Sequence, residues 1–511
     1  MRTAALALLM GLALPGAPGA AQNTGPSDAI VTTRHVISLG DRQLEYTAHA
    51  GLIPIRDNEA GDVHARVFFV AYTLDRREGD PDRPLSFVWN GGPGMNSSLI
   101  HLLGFGPKRV RTGDSFPTSP PPSETEMDDN QETWLDLTDL VFVDPVGTGY
   151  SRPTRPEYAD EFYQTPGDTE AIAEFIRVFR VRFDAWNRPL FIVGHSYGTT
   201  RAMGVTGALE RRGVPVSGVV LISGGISLGQ DPLPPEMAAA LAVPGMTAAA
   251  FYHGKLPPEL RGDLTATLAE AEAWAKDEYA RSLANVDALT EAERARTLRS
   301  LARYTGLDPA VVDPATLTVE RDVFKTQLLA AEGRVLGNYD YRLTRPADPT
   351  EGPYDIFRDP SFKPAIGLAQ GTSPLLNRYM RFELGFESDL LYQGPLGGGY
   401  PPATSINRRW VRNPVGAGTP EEEAESTPPL RQAMDANPAI RVFLVRGLYD
   451  SLGSGCARHV HTVEHLEGDL GRRVSVACYG AGHDMYTDKE VRQEIKRDMT
   501  TFIRRTLAGP P

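Results

Sequence analysis

Apolar positions in the first 225 residues fall into short runs that alternate with helical stripes. The stretches "VISLGDRQLEYTAHAGLIPI" and "VHARVFFVAYTL" are rich in β-branched and aromatic residues and predict opening antiparallel strands. The runs "PLSFVWN", "LVFVDP", "PLFIVG" and "SGVVLISGG" predict short buried strands, and helical spacing covers residues 168–186 and 197–212. This alternation is typical of an α/β fold, a parallel sheet with helices on both faces.

The alternation stops after residue 225. Residues 233–334 are rich in Ala, Leu, Glu and Arg with helical periodicity. Residues 335–432 are irregular and rich in Gly, Pro, Tyr and Asn. We therefore predict a large, mainly helical insertion at 226–434.

The sheet pattern returns after this insertion. The runs "AIRVFLVRG" and "RRVSVACYG" predict two more strands, and a closing helix is predicted over about 488–507. The simplest interpretation is one α/β domain in two parts, residues 22–225 and 435–511. A separate middle domain is the alternative.

The first 21 residues predict a secretory signal peptide. One arginine precedes an apolar run from Ala4 to Leu14, and small residues follow up to Ala21. The alternative, a membrane anchor, is disfavoured because a membrane span needs about 20 apolar residues. No later segment is apolar enough to span a bilayer. We expect an exported protein, periplasmic or secreted, without a stable membrane anchor.

Charge and cysteine content limit which partners and cofactors the protein is expected to bind. Acidic residues outnumber basic ones by 65 to 52, a formal net charge of −13, which argues against nucleic acid as a partner. Cys456 and Cys478 predict one disulfide in an exported chain, with two buried thiols as the alternative. No Cys or His cluster with ligand spacing surrounds either cysteine, so we predict neither a metal site nor a cofactor.

The strongest chemical motif is "GHSYG", residues 194–198. It fits G-x-S-x-G, in which the flanking glycines make room for a serine on a strained turn between a strand and a helix. A strand is predicted directly before it and a helix directly after it. This context predicts that Ser196 is a nucleophile.

A serine nucleophile needs a base and an acid that orients the base. In this type of fold the acid and then the histidine follow the serine, each after a later strand. Asp450 follows "VFLVRG" and His483 follows "VSVACYG", so these two are predicted to complete the triad. Asp484 and Asp488 are weaker alternatives for the acid.

Two further histidines follow the predicted acid in the sequence. His459 and His461 lie on a predicted helix after the triad acid and are interpreted as surface residues.

An oxyanion hole needs two backbone N–H groups, one of which is expected from Tyr197. The other is expected from the glycine-rich loop "NGGPG", residues 90–94, at the end of an early strand.

The motifs "WNGGPG", "NQETW", "VFVDPVGTGYS", "GHSYG" and "GAGHDM", in this order, resemble the serine carboxypeptidase family. The resemblance covers roughly residues 85–223 and 440–490. It implies an α/β-hydrolase fold with a lid, and removal of C-terminal residues through an acyl-enzyme. It also implies that Gly92 and Tyr197 supply the oxyanion hole, and that Asn90 and Gly91 help to hold the substrate's terminal carboxylate.

Two positions depart from the family pattern. The resembling enzymes bind the substrate carboxylate with two glutamic acids, at least one of them protonated. This chain has His195 at one position and, by alignment on "GFGP", Gly104 at the other. We therefore expect His195 to contact the substrate, either as a cation or as a single hydrogen-bond donor. A substrate without a free carboxylate is the alternative.

These features predict an exported serine peptidase of carboxypeptidase type, acting on peptides or small esters. An aminopeptidase or esterase on the same scaffold is the alternative within the enzyme class. A noncatalytic binding protein that kept the fold is the alternative outside it, disfavoured because the three triad residue types and both glycine loops occur in the expected order.

Overall fold

One ten-stranded sheet organises the molecule. The structure, a computed structural model, describes residues 29–76, 79–113, 126–229, 233–348, 350, 358–399, 404–412, 428–452 and 455–509. The predicted signal peptide lies outside these ranges. No described helix is both long and apolar enough to cross a membrane.

The strands keep the order that the apolar runs predicted. They are β1 Val31–Leu39, β2 Arg42–Arg56, β3 Val63–Leu74, β4 Leu85–Trp89, β5 Lys108–Val110, β6 Met127–Asp129, β7 Asp139–Val143, β8 Arg152–Pro153, β9 Leu190–His195, β10 Gly218–Ile222, β11 Arg334–Leu336, β12 Thr344–Pro346, β13 Arg441–Gly447 and β14 Val474–Tyr479. The main sheet has the order β1-β2-β3-β7-β4-β9-β10-β13-β14, and β8 pairs with β3. Its first three pairings are antiparallel and the remaining five are parallel.

The α-helices fill the intervals between the strands. They are α1 Ala159–Phe162, α2 Thr165–Arg182, α3 Gly198–Arg211, α4 Pro235–Ala240, α5 Val243–Tyr252, α6 Leu264–Trp274, α7 Ala280–Ala284, α8 Glu291–Thr305, α9 Arg321–Gln327, α10 Ile366–Ala369, α11 Pro374–Arg378, α12 Ile406–Arg409, α13 Pro429–Ala436, α14 Gly455–Glu464, α15 Leu470–Arg473 and α16 Lys489–Leu507. Short 3₁₀ and π turns, such as the π-helix Ile100–Phe105, connect several of them.

The central strands are apolar throughout because both faces of the sheet are covered. Side chains alternate between two cores, so that Val141 packs on the side of α2 and α3, whereas Phe142 packs on the side of α16. Parallel strands covered on both faces read as continuous apolar runs, which is the pattern that identified them. The α/β prediction is confirmed, with an α/β-hydrolase arrangement of the sheet.

The chain leaves the sheet after β10 and returns at β13, although these two strands are direct parallel neighbours. Helices α4 to α9 build a third apolar core, which includes Ala249, Leu301 and Phe324 and also takes in Tyr449 from the loop after β13. The intervening chain therefore has its own packing and is joined to the sheet at the carboxyl ends of the strands. The domain boundaries at 226 and 434 stay a prediction.

Cys456 and Cys478 are joined as a disulfide, with their Cα atoms 6.0 Å apart. The bond ties α14 to β14 and closes a loop with a sequence separation of 22. Closing a loop of this length restricts the unfolded chain and stabilises the fold by about 3 kcal/mol. We expect Cys478→Ser to lower the free energy of unfolding by about this amount, measured by urea denaturation. Two free thiols in the unfolded, unreduced protein would support the buried-thiol alternative instead.

Candidate active site

Ser196 lies on a sharp turn between β9 and α3. Its φ is +59°, a left-handed conformation that few non-glycine residues adopt, and its N–H donates to Ile222 O at 2.8 Å. A Cβ at Gly194 would lie 2.0 Å from Gly198 O. Only glycine fits there, which is the steric reason for the G-x-S-x-G pattern. The turn presents Ser196 at the carboxyl end of the central strand.

The structure brings Asp450 and His483 together at the neighbouring strand ends. His483 Nδ1 donates to Asp450 Oδ2 at 3.0 Å, and Leu452 N–H donates to the other carboxylate oxygen at 2.9 Å. Arg446 Nε lies 3.1 Å from Asp450 Oδ2. Burial alone would raise the pKa of Asp450, but Arg446, His483 and the hydrogen bonds hold it below its ordinary value. Asp450 is therefore ionised and fixes the orientation of the His483 ring.

The two alternative acids are engaged elsewhere. Asp484 Oδ1 accepts a hydrogen bond from Tyr486 OH at 3.1 Å. Asp488 caps α16 by accepting from the N–H groups of Glu490 and Val491 at 3.1 and 3.3 Å. Neither is hydrogen-bonded to Nδ1 of His483, which is bonded to Asp450.

Ser196 and His483 line the same cavity, which has a volume of about 920 Å³. Among the described residues, no hydrogen bond joins Ser196 Oγ to the His483 ring. Hydrogen bonds between a nucleophile and its base are often loose without substrate and tighten in the complex. The cavity gives a substrate access to both groups.

Two backbone N–H groups next to the serine have no partner among the described residues, those of Gly92 and Tyr197. A Cβ at Gly91 would lie 2.4 Å from Tyr197 N, so the glycine-rich loop lies directly against the turn that carries Ser196. Unpaired N–H groups on two adjoining loops are what an oxyanion hole requires.

Arg201 holds the glycine-rich loop in place. It is fully buried in α3, where its Nε lies 2.7 Å from Asp168 Oδ2 and its Nη1 donates to Asn90 O at 2.9 Å. Burial raises the pKa of Asp168, and Arg201 opposes this shift. The sequence interpretation missed this pair. The signal in the sequence that could have revealed the pair is the position of Arg201, which lies on the same apolar stripe of α3 as Val205 and Ala208.

His195 is 3% exposed and lies beneath the site. Asn90 Oδ1 accepts from Ile100 N–H at 3.0 Å, so Asn90 Nδ2 is the donor to His195 Nδ1 at 3.1 Å. The proton of His195 is therefore on Nε2, which donates to His483 O at 3.1 Å. Burial, and after it His483, lowers the pKa of His195 to about 4. The ring is neutral near pH 7.

Both nitrogens of the His195 ring and the amide of Asn90 are thus bonded within the protein, and neither residue lines the cavity. Their predicted contact with substrate, like that of Gly91, stays a prediction. The observed polar contacts of His195 are with Asn90 Nδ2 and the backbone carbonyl of His483, and its Nε2 also lies 3.5 Å from Asp484 Oδ1. The space beside Gly104 holds the ring of Tyr486, which lies 3.4 Å from where a Cβ would be. The sequence interpretation assigned no role to Tyr486.

The backbone of His483 is held from three directions. Its N–H donates to Tyr339 O at 2.7 Å. Its carbonyl accepts from Ser223 Oγ at 2.6 Å, in addition to His195. Ser223 is another non-glycine residue in the left-handed region, with φ of +53°, directly after β10. These contacts fix the loop that carries the predicted base.

Residues 338–342 form a bracing segment of the insertion that contacts both triad loops. Tyr341 N–H donates to Tyr449 O at 3.0 Å, and Ser451 Oγ donates to Asn338 O. Tyr449 and Ser451 are the two chain neighbours of Asp450. Arg342 Nη1 donates to Gly480 O at 2.9 Å on the histidine loop. The bracing segment falls in the stretch that the sequence marked only as irregular.

The interpretation of His459 as a surface residue is wrong. His459 is 8% exposed in α14, and its ring nitrogens lie 2.9 Å from Gly455 O and 3.0 Å from Gly224 O. The helix packs against the loop after β10, a tertiary contact that its periodicity does not reveal. His461 is partly buried and lines the same cavity. Within the described ranges, no three His, Cys, Asp or Glu side chains are grouped to hold a metal ion.

Curated proteins share part of this chain. A pheromone-processing carboxypeptidase KEX1 of Saccharomyces cerevisiae is 36% identical over 107 residues, which is 20% of this chain and 13% of the relative. A pheromone-processing carboxypeptidase kex1 of Schizosaccharomyces pombe is 28% identical over 181 residues, 35% of this chain and 31% of the relative. The matches thus span less than a third of each relative's length.

Similarity in fold covers more of the chain than similarity in sequence. The crystal structure of KEX1, a prohormone-processing carboxypeptidase from S. cerevisiae, aligns with a TM-score of 0.52 and 16% sequence identity, covering 90% of this chain and 91% of that one. A sequence model of the serine carboxypeptidases matches residues 40–201, which include the glycine-rich loop and Ser196. The chain is therefore similar to the serine carboxypeptidases in the sequence of residues 40–201, and it shares the α/β-hydrolase fold of KEX1.

Proposed function

We propose that this protein is an exported serine hydrolase that cleaves peptides through an acyl-enzyme on Ser196, in the manner of a carboxypeptidase. The observation that carries the proposal is the hydrogen bond of His483 Nδ1 to buried Asp450, with Ser196 on the strained turn of the same cavity. The named relatives are carboxypeptidases, and this supports a peptide substrate.

In the proposed mechanism Ser196 Oγ attacks the carbonyl carbon of the scissile bond, and His483 Nε2 takes its proton. Charge that develops on the carbonyl oxygen is stabilised by the N–H groups of Gly92 and Tyr197. His483 then gives the proton to the departing amine, which leaves an ester on Ser196. Water deprotonated by His483 attacks this ester, and the free acid and the serine hydroxyl are regenerated. Asp450 stays ionised and stabilises the protonated ring.

End-blocked peptides test this proposal. Peptides with free or amidated C-termini, and with free or acetylated N-termini, are incubated with the protein and the products are identified by mass spectrometry. We expect single residues to be lost from free C-termini, whatever the state of the N-terminus. Loss of N-terminal residues would indicate an aminopeptidase, and cleavage of esters without cleavage of peptides would indicate an esterase. Absence of labelling by a fluorophosphonate would favour a noncatalytic protein.

Peptide cleavage is expected not to require acid pH. In the resembling enzymes, at least one of two glutamic acids must be protonated before a substrate carboxylate can bind without repulsion. Here His195 and Gly104 replace them, and burial keeps His195 neutral above its pKa of about 4. We expect kcat/KM to show no steady rise from pH 7 to pH 4.5. A steady rise over this interval would contradict the prediction and indicate another acid that must be protonated.

Export is part of the proposal. The predicted signal peptide and the disulfide between Cys456 and Cys478 are both typical of exported proteins. Fractionation of producing cells, with N-terminal sequencing of the mature chain, tests this part.

A further inference from the structure

The cavity beside Ser196 extends far beyond the reacting groups. Its volume of about 920 Å³ lies at the upper end of the range, roughly 300–1,000 Å³, that is usual for small-molecule sites. Its walls come mainly from the start of α3, from residues 223–229 after β10, and from Arg446 and residues 458–470 around α14, together with Arg412, Arg431 and His483. The part of the substrate next to the scissile bond therefore has a defined chamber to enter.

The charge of this chamber is opposite to that of the chain. Its described lining contains four arginines and a single acidic side chain, Glu467, whereas the chain as a whole has a net charge of −13 with histidine counted as neutral. The arginines are Arg412, Arg431, Arg446 and Arg458. The lining also contains His465, His459 and His461, and burial lowers the pKa of the latter two. A concave surface with one sign of charge concentrates ligands of the other sign.

One nitrogen of the innermost of these cations, Arg446, lacks an acceptor. Arg446 is 3% exposed and lines the cavity, and its Nε lies close to Asp450. Its Nη2 has no hydrogen-bond acceptor among the described residues. A guanidinium stays charged at every accessible pH, and a buried donor without a partner is costly. A ligand oxygen in the chamber would supply the missing acceptor.

Two outer cations, Arg412 and Arg458, are exposed at the rim of the cavity. Arg412 has no carboxylate within ion-pair distance among the described residues. Arg431 already pairs with Asp435 at 2.9 Å and donates to Leu228 O, so it contributes least. The fork of an arginine matches the two oxygens of a carboxylate, and such charge-assisted bonds are among the strongest in proteins.

We propose that this chamber, named here the cationic chamber, binds a carboxylate of the substrate and so selects acidic substrates. The proposal rests on the proposed function, because it assigns the substrate class of the same site. The carboxylate has two sources, the side chain of an aspartate or glutamate and the free C-terminus of a peptide. If the source is the C-terminus, arginines would bind the carboxylate that the resembling enzymes bind with glutamic acids.

Two substrate pairs separate these sources. The p-nitrophenyl esters of N-acetyl-glutamate and N-acetyl-glutamine differ only in a side-chain carboxylate, and an N-acetylated tripeptide with a free or an amidated C-terminus differs only at its end. We expect the acidic member of at least one pair to have a kcat/KM about 10- to 100-fold higher, the range expected for a hydrogen bond to a charged group. Ratios near one in both pairs would overturn the proposal.

Variants of the lining arginines test whether the cationic chamber causes the ratio of kcat/KM between the acidic and the neutral member of each pair. Arg412→Gln and Arg458→Gln are expected to move the ratio toward one, and Arg458→Glu to move it further in the same direction. Arg281→Gln, an exposed arginine of α7 that pairs with Asp277 away from the cavity, is the matched control and should leave the ratio unchanged. An unchanged ratio in all three chamber variants, with melting temperatures equal to that of the parent, would contradict the assignment.

Binding without turnover keeps this proposal distinct from the proposed function. Calorimetric titration of the Ser196→Ala variant with the two tripeptides should show tighter binding of the free acid. If the parent protein neither hydrolyses the esters nor reacts with a fluorophosphonate, the proposed function fails. If it hydrolyses both members of each pair equally and the variant binds the acid and the amide equally, only the chamber assignment fails.

Discussion

Replacement of Ser196 by alanine is expected to lower kcat by about 10⁶-fold, because removing one triad residue disables the nucleophile and its base together. The substrates are activated esters and the peptides that the parent protein cleaves. The residual rate should reflect the oxyanion donors and substrate binding alone. In parallel, the fluorophosphonate adduct should be found by mass spectrometry on the peptide that carries Ser196, and it should be absent from the variant.

Ser217→Ala is the matched control for this experiment. Ser217 precedes β10, at the opposite end of the sheet from the cavity, and its backbone N–H bonds to Leu190 O. Its side chain makes no hydrogen bond to another described residue. This control should keep the activity of the parent. Near-normal activity of Ser196→Ala would show that another group is the nucleophile.

Asp450→Asn is expected to lower kcat by about 10⁴-fold. The amide can present an N–H to His483 Nδ1, where the carboxylate now accepts at 3.0 Å. This forces the ring proton onto Nε2, so that the ring can no longer take the proton of Ser196. The pKa of Asp450 is held below its ordinary value, so the loss should be the same at every pH above neutrality.

The same variant should also lose stability. Asp450 is the partner of Arg446, and both are buried. Removing one member of a buried ion pair costs about 3–5 kcal/mol, because the other charge is left without compensation. In the double variant Asp450→Asn and Arg446→Met, the cation is replaced by an apolar side chain of similar length. We expect this double variant to recover stability in urea denaturation but not to recover activity.

Asp484→Asn and Asp488→Asn are the matched controls for the acid. Both remove a carboxylate near His483, and both should lower kcat far less than Asp450→Asn. A 10⁴-fold loss in one of them, with a near-normal Asp450→Asn variant, would transfer the role of the acid. Equal stability of the single and double variants would show that Arg446 is not held by Asp450.

Local patterns predicted the elements of this fold well. The strands β4, β9 and β10 are buried on both faces, so each appears as an uninterrupted apolar run, and α16 shows one apolar stripe. The order of serine, aspartate and histidine along the chain was equally readable, because each follows a strand of the same parallel sheet. Position within a regular element therefore predicted position in the site.

Contacts between distant segments could not be read in this way. Periodicity indicates which face of α14 is apolar. It does not reveal that the helix covers the loop after β10, which contains Gly224, and so buries His459. The pair of Asp168 and Arg201 is 33 residues apart and is visible only when α2 and α3 pack together. His195 is a further example: the hydrogen bonds of its ring to Asn90 and to the backbone of His483 join loops that are far apart in sequence.

The bracing segment limits how this insertion can be exchanged. The carbonyl of Tyr339 accepts the N–H of His483, and Asn338, Tyr341 and Arg342 contact the two triad loops. A chimera that replaced the whole stretch between β10 and β13 with the cap of another α/β-hydrolase would discard these contacts. The helical part before residue 338 is therefore suited to exchange as a unit. Residues 338–342 have to be kept together with the sheet whose loops they contact.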